Sequence, residues 1–70
     1  MKTPPTPVRL AIVRSNRPQK AVAADAGIRE DVMSGIVRGR VVPTAEERMA
    51  IAAVLEITEA ELWPDLAEAA

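Results

Sequence analysis

The stretch QKAVAADAGIREDVMSGIVRGR, residues 19–40, holds all three glycines of the chain (Gly27, Gly35, Gly39) and sets two acids, Glu30 and Asp31, at its middle. Its spacing decides the fold. Val22, Ala23 and Ala26 recur at helical intervals, and Gly27 follows at the place where a left-handed residue closes a helix most cheaply. Ile28 plugs the turn. A second helix then runs from Glu30 to about Arg38, with Met33, Ile36 and Val37 inward and Val32 at the margin. Small Ala23 sits where two helices would cross and branched Ile36 where the second would be pinned to a core. That combination predicts a helix-turn-helix.

The flanks extend the same architecture. MKTPPTP, residues 1–7, reads as a flexible proline-rich arm. A first helix is expected from Val8 to Ser15, with Val8, Ala11, Ile12 and Leu10 inward, stopped by Asn16 in a left-handed conformation. Pro18 pre-sets φ for a helix start, so a second helix is expected over roughly Pro18 to Ala26. After Gly39, RVVP reads as an extended linker, because Pro43 disfavours helix at Val42. Thr44 with Glu47 and Thr58 with Glu61 are two capping boxes. They open a fourth helix to about Leu55, with Met49, Ala52 and Leu55 inward, and a short fifth ending near Trp63 and Pro64. No useful strand alternation occurs, so the expected fold is all-helical: an arm (1–7), a five-helix domain (8–64) and a short acidic tail (65–70).

Composition bounds the function. Seventy residues with 49% apolar content make one small folded domain, and with Trp63 the single aromatic the core must be built from small aliphatic side chains. Cysteine and histidine are absent, which removes disulfides, thiol and imidazole chemistry and the common zinc sites. Neither a phosphate-loop pattern nor a placed nucleophile–base pair is present. An enzyme, a cofactor, a metal or a small-molecule ligand is therefore not expected. With no membrane-length apolar run and no signal-like start, a cytoplasmic location is expected.

Net charge is −1, but its distribution is lopsided. Residues 1–42 carry eight bases against three acids, a balance of +5; residues 43–70 carry one base, Arg48, against seven acids, a balance of −6. One basic face and one acidic end fit a polyanionic partner at the first and none at the second. The acids also serve simply to keep an alanine-rich helical end soluble, and both can hold together.

In pattern the chain resembles the lambda-repressor-like family, the Cro/CI or XRE-type helix-turn-helix domains. Gln19, Ala23, Gly27, Ile28, Met33, Ser34, Ile36, Gly39 and Pro43 match that family's run, and Ala52, Leu55, Ile57, Thr58, Leu62 and Trp63 match the helix and turn that follow it. The departures are Pro18 and Arg29 in place of capping Ser or Thr, Gly35 in place of a larger residue, and Glu56 in place of a glycine. The resemblance implies a sequence-specific transcriptional regulator that binds double-stranded DNA as a homodimer. It places Arg29, Glu30, Asp31 and Ser34 of the third helix at base edges in the major groove, and Gln19, Lys20, Arg38 and Arg40 at phosphates.

Each of these residues also has a plain structural reading. Acids in a first helical turn suit the helix dipole by roughly 0.3–1 kcal/mol, as do arginines at its end. A carboxylate at a base edge can accept a hydrogen bond from cytosine N4, yet it repels phosphates. The alternative function is accordingly a protein–protein interaction module on the same fold, with the acidic third helix and Val32 as its surface. Trp63 reads as a core cover or a dimer contact, and Gly35 as either tolerated or admitting a close approach.

Overall fold

In the computed structural model, which describes residues 5–69 and side chains through Leu66, the chain is all-helical. Six helices follow one another: α1 (Pro7–Arg14), α2 (Gln19–Ala26), α3 (Glu30–Val37), α4 (Ala45–Leu55), α5 (Glu59–Leu62) and α6 (Pro64–Ala69). Residues 1–4 of the expected arm lie outside this range.

Helix ends are where the sequence speaks most clearly. Thr6 caps α1, its hydroxyl accepting from the Arg9 N–H, and Pro7 sits at the start of the helix, where its missing N–H costs nothing. The helix thus begins one residue before the expected Val8. Asn16 (φ 62°), Gly27 (φ 72°), Gly39 (φ 78°) and Glu56 (φ 56°) all adopt the left-handed conformation just past a helix. At three of these ends the next N–H reaches the carbonyl five residues back: Ile28 to Ala23 at 2.9 Å, Arg40 to Gly35 at 2.8 Å and Ile57 to Ala52 at 3.1 Å. Such a bond satisfies a carbonyl that the finished helix would otherwise leave bare.

Two of these closures repeat one device. AADAGIRE (residues 23–30) and AAVLEITE (residues 52–59) each run from a helix end through a left-handed residue and a half-buried isoleucine to the cap of the next helix. Ile28 and Ile57 both pack against the core, which sets the angle at which each following helix leaves. Thr58 caps α5 through its hydroxyl, whereas Arg29 caps α3 with no side-chain hydrogen bond to the helix backbone.

The core is aliphatic. Val22, Met33 and Ile51 are wholly buried, with Val8, Ala23, Ile36, Val37 and Leu62 at 2% exposure or less. Helix α2 lies at its centre, packed against both α3 and α4, while α1 closes on α3 and α5. Ala23, 1% exposed, lets the neighbouring helix come close to α2, as expected of a small residue at a crossing. Partly buried Trp63 packs against this core.

Three expectations are corrected. Met49 points outward at 62% exposure, and Ile51 takes the inner position on α4 with Leu55; Ala52 is half-buried. Two residues rotate a helix by about 200°, so Met49 and Ile51 must face opposite ways, and α4 turns Ile51 to the side where α2 packs. Leu10, read as inward, is 41% exposed on α1. Five helices become six, because Pro64 starts α6 as its first residue instead of merely stopping α5. The expected tail at 65–70 is helical through Ala69, and side chains beyond Leu66 lie outside the described residues.

Candidate nucleic-acid interface

Helix α3 buries Met33, Ile36 and Val37 and leaves Glu30 and Asp31 exposed, with Ser34 half-buried between the two faces. The outward residues 30, 31, 34 and 38 follow three- and four-residue steps and so share one side. Arg29 precedes the helix with its side chain 81% exposed, and its Nη2 meets the Asp31 Oδ2 at 3.0 Å. This pair sits on the first turn, where two acids face the positive end of the helix dipole. One carboxylate is therefore matched by a neighbouring guanidinium, and Glu30 is free of any ion pair among the described residues.

At the other end, Arg38 caps α3 and Arg40 follows the left-handed Gly39; both are exposed and neither has an ion pair among the described residues. About 13 Å of helix axis separates position 29 from position 38, so α3 carries two distinct charge clusters. The near one is nominally −1 (Arg29, Glu30, Asp31) and the far one +2 (Arg38, Arg40). Gln19 and Lys20 open α2, the first half-buried and the second exposed. No hydrogen bond among the described residues ties either of them to α3.

The far cluster is held in place by contacts that the sequence did not announce. Gly35 lies inside α3, and its carbonyl accepts from both the Arg40 N–H (2.8 Å) and the Val41 N–H (3.1 Å). A Cβ added at Gly35 would stand 2.5 Å from Val41 Cγ2. The glycine thus provides the seat into which the start of the linker folds, and this resolves its unexplained place in a helix interior. Residues 40–41 bend back instead of extending, and Pro43 is buried. From the other side, the Thr6 hydroxyl donates to the Val37 carbonyl at 2.6 Å, so the base of the arm is tied to the end of α3. A glycine mid-helix followed six residues later by valine was the available signal for this seat.

Two other arginines are committed to the fold. Arg17 pairs with Asp25 and donates through Nη1 to the Val54 carbonyl at 3.3 Å, joining the α1–α2 turn to α2 and α4. Arg48 donates to Pro43 O (3.1 Å) and Glu59 (3.3 Å), bracing the linker against α5. The lone base of the acidic half is therefore a clasp. With these removed, the cations without an ion pair among the described residues are Arg9 and Arg14 on α1, Lys20 on α2, and Arg38 and Arg40 after α3.

An apolar groove of about 260 Å³ runs between the folded-back linker and α5–α6, with Val41, Val42, Trp63 and Leu66 in its walls. No helix among the described residues is long and apolar enough to cross a membrane, and those residues contain no cluster of acids fit to hold a metal ion.

No family model, curated protein or solved structure matches the chain.

Proposed function

We propose that this protein is a sequence-specific DNA-binding regulator of the lambda-repressor-like kind, a binder and not an enzyme, with α3 as its reading helix. The observation that carries the reading is the outer side of α3. This short helix sits after a tight left-handed turn, is anchored by three buried residues, and leaves Arg29, Glu30, Asp31 and Arg38 uncovered. An eight-residue helix so mounted is the right size to enter a major groove with its first turn at the base edges. Lys20, Arg38 and Arg40 supply the cations for phosphates, and Gln19 an amide beside them. In this reading the acids of α5 and α6 turn away from the DNA, while Glu46 and Glu47 of α4 share a cleft with Arg29 and Val32 at the start of α3 and add to its acidic first turn.

One such helix offers too little contact for a tight site, so two copies act on half-sites about one helical turn apart. The groove beside α5–α6, with half-buried Trp63 in its wall, is the surface for that symmetric pairing.

Salt dependence tests the reading. Anisotropy of a labelled random duplex should show affinity falling steeply with salt, with Arg38→Ala and Arg40→Ala each lowering the log–log slope by about 1. Selection from a random pool should then return a preferred site with two related halves. A salt-independent or absent DNA signal would instead favour the interaction-module reading, which draws its support from the acidic first turn of α3 and the Arg29–Asp31 pair that neutralises its one adjacent cation.

A further inference from the structure

Three large apolar side chains are left exposed on helices by this fold: Leu10 (41%) and Val13 (66%) on α1 and Met49 (62%) on α4. A polyanion gives none of them a reason to be outside. Their surroundings differ in sign. On α1 they stand among Arg9 and Arg14, both exposed, and the chain has no acid before Asp25. On α4, Glu46, Met49 and Ala53 are all exposed and follow steps of three and four residues, so they form one stripe, and exposed Glu56 stands just past the helix end in left-handed backbone. An acid opens its apolar middle, and a second follows where the helix closes. Neither glutamate has an ion pair among the described residues.

We infer that the outer face of α1 in one molecule docks on the outer stripe of α4 in a second copy. The two faces are complementary in both respects that matter: an apolar centre meets an apolar centre, and arginines meet carboxylates. Met49 is the adaptable knob of the pair, an unbranched thioether able to fill an irregular slot. Such a slot lies beside α1, a groove of about 350 Å³ between α1 and α5 walled by Leu10, Ala11, Arg14, Ile57 and Glu61. Glu61 stands across that groove from Arg14, which leaves α1 with two cations against one anion at the contact. The arginines are about 7.5 Å apart along α1, while Glu46 and Glu56 flank nearly the whole length of α4, so both cations fall within the span of the acids.

Because the two faces are different surfaces, the contact is heterologous. Each bound copy still presents a free α1 or a free α4, and addition continues unless the rotation closes a ring. Helices this short bury only a few hundred Å² per side, so the association is weak in free solution and gathers strength where copies are already neighbours. The inference stands apart from DNA binding, and the association it predicts is measured without DNA.

Sedimentation of the whole chain from 10 µM to 1 mM should show a weight-average mass rising above 7.5 kDa at low salt. It should fall back toward the monomer in 0.5 M sodium chloride. Val13→Asp and Met49→Asp alter exposed positions, so each variant should keep the parental helical spectrum. Each alone should stay monomeric across the range. Mixed one to one, they should form pairs that stop at two chains, since each retains the face that the other has lost. A parent that remains monomeric at 1 mM would overturn the inference, as would variants that associate like the parent or a mixture that stays monomeric. Loss of DNA affinity in Val13→Asp with association unchanged would assign the α1 face to DNA and overturn it too. Symmetric pairing through α5–α6 predicts insensitivity to both substitutions, so its failure is separable.

Discussion

Glu56 adopts φ 56° at the end of α4, a conformation that side chains other than glycine enter only at a cost of about 1 kcal/mol or more. Its side chain is exposed and has no hydrogen-bond partner among the described residues, so nothing local offsets that cost. Glu56→Gly should therefore raise stability by about 1 kcal/mol, read as a thermal midpoint higher by about 4–8 °C for a domain of this size. Gly35 makes the opposite case. Alanine would ordinarily improve a helix interior by about 1 kcal/mol, but here its Cβ would collide with Val41 Cγ2. Gly35→Ala should lower stability by about 1–2 kcal/mol as the linker is pushed off. Adding Val41→Ala, which removes the colliding methyl, should recover much of that loss. A coupling near zero in this double-mutant cycle would show that Gly35 does not seat the linker.

At the level of whole helices, phase matters more than composition. The inner residues of α3 (Met33, Ile36, Val37) were legible in the sequence, because Ser34 and Gly35 separate its apolar pairs, whereas the unbroken apolar run at residues 10–13 of α1 fits Leu10 inward as well as outward. Helix α4 reads AEERMAIAAVL, where alanines and aliphatics occupy almost every position after Arg48, so the sequence allows several phases and Met49 and Ile51 are equally apolar choices. The helices that pack on α4, α2 above all and α5 beside it, decide between them. Ile51→Ala should cost about 2–4 kcal/mol, the loss typical of a fully buried aliphatic, while Met49→Lys should stay within about 0.5 kcal/mol of the parent in chemical denaturation. The helix starts were legible for a different reason: a capping threonine or a first-turn proline acts within four residues and needs no partner from elsewhere. Pro64 shows the limit of that rule, since the same residue stops one helix and starts the next. The clasps of Arg17 and Arg48 were not legible at all, because they join segments 37 and 11 residues apart that only the packing of α4 brings together.

Across the whole molecule, charge is arranged so that the proposed reading helix begins acidic and ends basic, and the two acids at the middle of residues 19–40 govern how that helix meets a polyanion. Asp31 holds Arg29 in a 3.0 Å pair, so the first turn of α3 offers DNA a net negative cluster and one occupied guanidinium. Glu30→Gln with Asp31→Asn changes that cluster from −1 to +1 and releases Arg29 to reach phosphates or guanine. If α3 reads DNA, the double variant should bind random duplex more tightly, with a salt slope steeper by about 1–2 as the freed cation displaces further counterions. The same change should blur site preference, because an amide both donates and accepts where a carboxylate could only accept, and the repulsion that penalises a wrong base is gone. Stability should fall slightly, since two acids leave the positive end of the helix dipole, a loss of roughly 0.3–1 kcal/mol each that a thermal melt can resolve. The comparison is between specific and random sites at equal salt: the ratio of the two affinities should drop while the random affinity rises. Should both affinities stay at the parental value while binding to a cellular protein disappears, α3 is a protein-docking helix and its acids are the contact.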